Sequence, residues 1–182
     1  MTSIVVIYHS GYGHTKKQAE AVAEGANANL IAIDANGDIT EADWEKLDAA
    51  KAIIMGSPTY MGSVSWQFKK FADASSKAWF TQKWKNKIFA GFTNSATMNG
   101  DKFSTIQYLI TLAMQHSGVW LGTGLMPANA KAAKHGDVNY VGGFSGALMT
   151  SPSDASPDEV NVGDLETARL LGVRVAEFAA KA

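Results

Sequence analysis

Short apolar runs alternate along this chain with stretches whose apolar positions recur at helical spacing. Ile4-Val5-Val6-Ile7-Tyr8 is apolar at every position, as a parallel strand covered on both faces requires. Gln18, Ala19, Val22, Ala23 and Ala26 then predict a helix over roughly 14–26. Leu30-Ile31-Ala32-Ile33 is a second strand, and Thr40-Glu41-Ala42-Asp43 signals the N-cap of a short helix running toward Asp48. Ala52-Ile53-Ile54-Met55-Gly56 is a third strand, ended by Ser57-Pro58 and followed by a helix through Trp66, Phe68, Lys69, Phe71 and Ala72. Lys87 to Phe92 is the fourth strand. The next helix, from about Phe103 to Met114, stops at Gly118, a residue suited to a left-handed C-cap. Val119-Trp120-Leu121 begins a fifth strand, and a helix over about 164–180 closes the chain.

The segment 122–160 breaks this rhythm: it is rich in Gly, Ser, Asn and Pro, and only Gly146 to Thr150 is strand-like. Long structureless loops are uncommon inside compact domains. The expectation is therefore a split fifth strand, 119–122 and about 146–150, with the insertion 123–145 near the active end. Strands alternating with helices imply an α/β, doubly wound, five-stranded parallel sheet.

Composition narrows the picture. With 182 residues, 46% hydrophobic and 18% charged, residues 1–182 suit a single domain with a real core. A formal net charge of -1 leaves no basic excess for a phosphate backbone, so no nucleic-acid partner is expected. A Cys count of 0 excludes disulfides, thiolate metal sites and Cys nucleophiles. No uninterrupted apolar run reaches the length of a membrane span, and Met1 to Ile7 has no basic leader region. A cytoplasmic protein without an integral membrane segment is the expectation. His9, His14, His116 and His135 lack metal-ligand spacing, and no metal is expected.

Doubly wound sheets bind ligands beyond the C-terminal ends of their strands. The loop after strand one is Ser10-Gly11-Tyr12-Gly13-His14-Thr15, leading into a helix whose N-terminus suits an anion. Lys16 stands where a dinucleotide fingerprint would need its third Gly, and no Gly-Lys-Ser/Thr follows. Hydroxyls on so small a loop suit a terminal phosphate monoester better than a bridging pyrophosphate. After strand three comes Pro58-Thr59-Tyr60-Met61-Gly62, and after strand four Thr93-Asn94-Ser95-Ala96-Thr97-Met98-Asn99. Taken singly, each of the first two loops reads equally well as an ordinary helix-entry turn; the three together favour a binding site.

These three loops resemble the FMN loops of the flavodoxin superfamily, and the chain is most similar to the WrbA-type NAD(P)H:quinone oxidoreductases. Ser10-Gly11-Tyr12-Gly13-His14, Pro58-Thr59-x-x-Gly62, the His116-Ser117-Gly118 corner and Glu166-Thr167-Ala168-Arg169 carry the likeness over nearly the whole chain. It implies a flavodoxin-like strand order 2-1-3-4-5 with helices on both faces. It implies further that Ser10 to Thr15 hold the FMN phosphate, that Pro58 to Gly62 line one side of the flavin, and that Thr93 to Asn99 line the other. Tyr12 would meet the nicotinamide, and Trp79 and Ser117 the substrate. The family has His-His-Gly where this chain has His116-Ser117-Gly118, so Ser117 replaces an imidazole and His116 is a weak catalytic candidate. Tyr60 stands where the family usually has Arg, and the stretch from Asp34 to Lys51 is shorter than in the family.

The function so implied is FMN-dependent transfer of two electrons from NADH or NADPH to a quinone, by a ping-pong mechanism. Separately, Trp66, Trp79, Phe80 and Trp84 exceed what one amphipathic stripe buries, so a subunit contact or pocket wall among them, and with it a homo-oligomer, is the expectation. The alternatives are an electron-carrier flavodoxin and a non-catalytic FMN-binding module. Carriers steer their encounters by strong surface charge, and a net charge of -1 offers little of it.

Overall fold

A parallel sheet organises the chain. The structure, a computed structural model, describes residues 3–182; Met1 and Thr2, part of the start read for a leader, lie outside them. Strand β1 (Ile4–Tyr8) pairs in parallel with β2 (Asn29–Ala32) on one side and β3 (Ala52–Tyr60) on the other. Beyond β3 lie β5 (Ile88–Ser95) and then two short strands on its far edge, β6 (Val119–Trp120) and β7 (Ala147–Thr150). With the two-residue strand β4 (Ser63–Val64) set aside, the order is the expected 2-1-3-4-5, and the fifth strand is split as expected.

Alternation along each strand explains why the runs are apolar throughout. Ile4, Val6, Tyr8, Ile54, Ala90 and Phe92 face a core closed by helices α1 (His14–Ala26) and α6 (Val162–Ala179). Val5, Ile7, Ile53, Met55 and Phe89 face a second core with Leu47, Phe68, Phe71, Trp84, Ile106 and Leu109. These come from α2 (Glu41–Ala49), α3 (Trp66–Ala74), α5 (Lys102–Gln115) and the segment before β5; the short helix α4 (Ser76–Phe80) follows α3. Helices α1 and α6 meet at bare backbone: a Cβ on Gly172 would stand 2.1 Å from the carbonyl oxygen of Val22. Among the described residues no helix is long and apolar enough to cross a membrane.

Four expectations need correction. Strand β3 does not stop at Gly56 but continues through Pro58 to Tyr60. Gly56 turns its carbonyl toward β1, where it accepts from the His9 amide at 3.1 Å. Pro58 shares that parity, so its missing N–H points past the end of β1, where no ladder bond is lost. Strand β5 likewise runs on to Ser95, making strand of residues assigned to the loop. The left-handed residue after α5 is Ser117 (φ 57), not Gly118. Gly118 is needed for another reason: a Cβ there would meet the Phe89 ring at 2.3 Å. Finally, Trp84, which the sequence offers with Trp66, Trp79 and Phe80 for a subunit contact or pocket wall, is 1% exposed and stacks among Trp44, Phe71 and His116 in the core.

Candidate functional site

The strand order reverses between β1 and β3, and the loops leaving their C-terminal ends part there to form a cleft of about 600 Å³. That size suits a cofactor. Tyr12, His14 and Thr15 line it from the first loop, Pro58, Thr59 and Tyr60 from the end of β3, and Asn94, Ser95 and Ala96 from the end of β5. Ser151, Ser153, Ala155 and Pro157 complete the wall. No Asp or Glu is among the lining residues.

The first loop is rich in free hydrogen-bond donors. The Gly13 and Lys16 amides donate to Ser10 Oγ at 3.1 and 3.2 Å, which folds the loop back on itself and leaves the Ser10 hydroxyl proton free. Gly13 caps α1 at φ 94, and its shape lets Pro157 approach: a Cβ would lie 2.6 Å from Pro157 Cγ. Among the described residues, the amides of Ser10, Gly11, Tyr12, His14 and Thr15 have no protein acceptor. Several free amides at the positive end of a 13-residue helix are a donor set for a phosphate.

Hydroxyls and amides then run along the floor. The Thr15 hydroxyl donates to Asn94 Oδ1 at 2.6 Å, and Asn94 Nδ2 donates to Ser151 Oγ at 2.8 Å. Thr93 donates to the Ser57 carbonyl at 2.6 Å and is joined at 2.9 Å to Thr59, which is joined at 2.9 Å to Thr105. With the Thr93 proton committed, the Thr59 hydroxyl donates to Thr93 and accepts from Thr105.

Aromatic rings form the opposite end. Strands β3 and β4 make a two-residue hairpin with Met61 (φ 47) and Gly62 (φ 78) both left-handed, the arrangement of a type I′ turn. The turn leaves the Met61 side chain fully in solvent and sets Tyr60 against Tyr12, edge to face, with centroids 6.3 Å apart. Burial, then the neighbouring Tyr12, raises the Tyr60 phenol above its ordinary pKa.

The structure thus brings nine expected residues into one cleft. Ser10, Gly11 and Gly13 shape its rim, Met61 and Gly62 form the hairpin tip, and Thr93 lies buried beneath. Thr97, Met98 and Asn99 continue from the Ser95–Ala96 wall without lining it. Trp79, His116 and Ser117 are not brought there. The Ser117 carbonyl accepts from the Asn86 amide, and Val119 pairs with Ile88, so the corner sits at the opposite, N-terminal edge of the sheet. Trp79 and His116 border a separate hollow with Ser75. His116 is 3% exposed, shares a 2.9 Å hydrogen bond with Ser75 Oγ and packs on Trp84 at 4.4 Å. Its surroundings make it a core residue.

The insertion 123–145 supplies no lining residue either. The segment 151–157 does so instead, although its sequence reads as a solvated turn. It is held over the first loop by His14 Nε2 donating to the Ala155 carbonyl at 2.9 Å and by the ion pair Lys17–Asp158 at 2.6 Å. Only the regular spacing of Ser151, Ser153 and Ala155 after a strand hints at this role, and that signal is weak.

Residues 4–132 match the family model of the NADPH-dependent FMN reductases. The chain is 54% identical over 178 residues to a flavodoxin, FldP, of Pseudomonas aeruginosa, covering 98% of this chain and 97% of that protein. It is 32% identical to an NAD(P)H dehydrogenase (quinone) of Rhizobium rhizogenes, covering 100% of this chain and 98% of that one. A WrbA-like flavodoxin from Agrobacterium tumefaciens has a similar solved structure, with 53% identity, a TM-score of 0.84, and coverage of 100% and 99%.

Proposed function

The chain belongs to the NADPH-dependent FMN reductase family, and on that premise we propose that it is an FMN-dependent oxidoreductase passing two electrons from NADH or NADPH to a quinone. The observation that carries this reading is the make-up of the cleft: phosphate-type donors at one end, an aromatic pair at the other, and no carboxylate between. When bound, FMN supplies the redox chemistry, accepting a hydride from the nicotinamide and yielding two electrons to the quinone.

The chain's own residues bind and orient. Ser10 to Thr15 hold the phosphate, Thr59 to Gly62 flank one side of the ring, and Asn94 to Asn99 flank the other. Tyr12, 78% exposed, offers a face on which a nicotinamide or quinone stacks. Donor and acceptor use the same opening in turn, which is a ping-pong scheme. Pro152 to Pro157 wall off the phosphate end, so substrates enter from the Tyr12–Tyr60 side. A cytoplasmic location and a homo-oligomer belong to the same reading, the latter supported by the exposed Trp66, Trp79 and Phe80.

A second reading, an electron carrier, is favoured by the 54% identity to a protein named flavodoxin. Anaerobic mixing separates the two. As an oxidoreductase, the FMN-loaded protein is bleached by NADH or NADPH in one two-electron step, menadione restores the oxidised spectrum, and steady-state plots give parallel lines. Resistance to both nicotinamides would leave the carrier reading standing.

The phosphate assignment has its own test. The Thr15 proton now goes to Asn94 Oδ1. Turning the Asn94 amide over lets Nδ2 donate to Thr15, lets Ser151 donate to Oδ1, and frees the Thr15 proton for a phosphate oxygen. Thr15→Ala removes that charge-assisted bond, worth roughly 1.5–3 kcal/mol, so FMN affinity falls at least about tenfold in a fluorescence titration. An unchanged affinity would mean that Thr15 does not touch the phosphate.

A further inference from the structure

Behind the loop that follows β5 lies a buried cation to which the proposed function gives no role. Lys102 opens α5 and is 1% exposed. Its ammonium donates to the carbonyl oxygens of Thr97 at 2.5 Å and Met98 at 3.0 Å. Burying an ammonium is costly unless it is hydrogen-bonded and compensated by opposite charge. Asp164, on α6 and 1% exposed, is the charged group that faces it from another element. The Asp164 carboxylate accepts from the Thr150 amide at 2.9 Å and meets His135 Nε2 at 3.0 Å.

The clamp has a consequence on the other side of the loop. A trans peptide points its N–H opposite to its C=O. With the Thr97 and Met98 carbonyls turned inward to the ammonium, the N–H groups of the same two peptides, those of Met98 and Asn99, turn outward. Neither donates to a protein group among the described residues. Both follow directly in the chain after Ala96, the last residue of this loop to line the cleft, and neither lines it itself.

We propose that Lys102 is a positioning residue for the flavin: it holds the Thr97–Asn99 backbone so that two amides face the ring, and its charge favours the reduced form over the oxidised one. The proposal rests on the reading that loop 94–99 borders the ring. Reduction adds two electrons and one proton, which leaves one negative charge on the ring. Donors fixed in advance, with a cation behind them, stabilise charge that appears only in that state. Burial lowers the Lys102 ammonium to a pKa of about 8, so its charge is also responsive. A negative ring nearby pulls that pKa up again.

The test compares the FMN-loaded wild type with Lys102→Met and Lys102→Gln. Three quantities are measured: the Kd for oxidised FMN, the Kd for FMN reduced with dithionite, and the midpoint potential. Lys102→Met is expected to weaken the reduced form about tenfold more than the oxidised form, making the potential more negative. Lys102→Gln keeps donors without charge and recovers part of the difference. In the wild type the potential falls more steeply with pH above about 8, because reduction there also draws a proton onto Lys102; the Met variant lacks this break. Equal weakening of both redox states, or an unchanged potential, overturns the proposal and leaves Lys102 as loop support. Should the Met variant fail to fold by circular dichroism, the wild-type pH profile decides, and a profile without the break overturns the proposal. A wild type that binds no FMN defeats the reading of the site itself, a distinguishable failure.

Discussion

Gly13→Ala is expected to lower FMN affinity by about two orders of magnitude while leaving the sheet intact. Gly13 sits at φ 94, ψ -23, as the residue that turns the chain into α1. A left-handed conformation costs a residue with a Cβ roughly 1–2 kcal/mol. The new methyl would also stand 2.6 Å from Pro157 Cγ and 3.3 Å from Pro157 Cβ. A proline ring cannot rotate out of the way, so either the 151–157 wall or the phosphate loop must move, at a further cost of about 1–3 kcal/mol. The sum, about 3 kcal/mol, corresponds to roughly a hundredfold in Kd. Gly142→Ala is the control, because Gly142 has φ 78 with nothing within 4 Å of a built Cβ. It carries the same kind of backbone strain without a neighbour, away from the cleft, and should leave FMN binding near the wild-type value. Equal FMN affinity in Gly13→Ala and the wild type would show that the cradle at α1 is not the phosphate site.

Stability is expected to fall by about 2 kcal/mol between pH 7 and pH 5, and His116 is the main reason. Burial holds its imidazole neutral, with its pKa lowered to about 4. In the unfolded chain a histidine titrates near 6.5. Between these values the unfolded state takes up a proton that the native state refuses, so stability is fully present above about pH 6.5 and declines as pH drops toward 4. The slope is about 1.4 kcal/mol per pH unit for one such group. His9, 4% exposed and also lowered by burial, adds in the same direction. His116→Phe keeps a ring against Trp84, and Ser75 keeps its own bond to the Ala72 carbonyl at 2.6 Å. Urea unfolding at the two pH values should show most of the difference gone in that variant. A wild type equally stable at pH 7 and pH 5 would contradict a buried neutral His116. The same measurement bears on the proposed function, since a core imidazole at the N-terminal edge of the sheet does not reach the cleft at the other edge to donate a proton there.

Reach in sequence separates what could be read from the chain alone from what could not. The strand-and-helix succession was legible because each apolar run and each helical stripe records burial of one short element, and burial on both faces leaves a run like Ile4–Tyr8 without polar positions. The three loops after β1, β3 and β5 were legible for a related reason: in a parallel sheet those loops must emerge at one edge, so chemistry on them converges wherever the helices lie. Element ends were less legible. Pro58 reads as a strand breaker, and only the early end of β1 shows that its missing N–H has nothing to bond.

The tertiary structure alone decided which residues share the site. Ser151 to Pro157 are more than fifty residues in sequence from Asn94 and about 140 from His14, separations at which composition carries no register. Their place in the wall depends on the split fifth strand, which delivers them beside α1. The corner at His116-Ser117 and the indole of Trp79 lie away from the cleft for the opposite reason: a motif preserves residue types, but α5 carries its end down the length of the sheet, and Trp79, on α4, packs beside that end. Lys102 was invisible as well, since a single lysine at a helix start reads as solvated. Only the packing of α6, with Asp164, and the inward carbonyls of Thr97 and Met98 make that charge tolerable, because the cost of burying an ion is met by groups brought from distant parts of the chain.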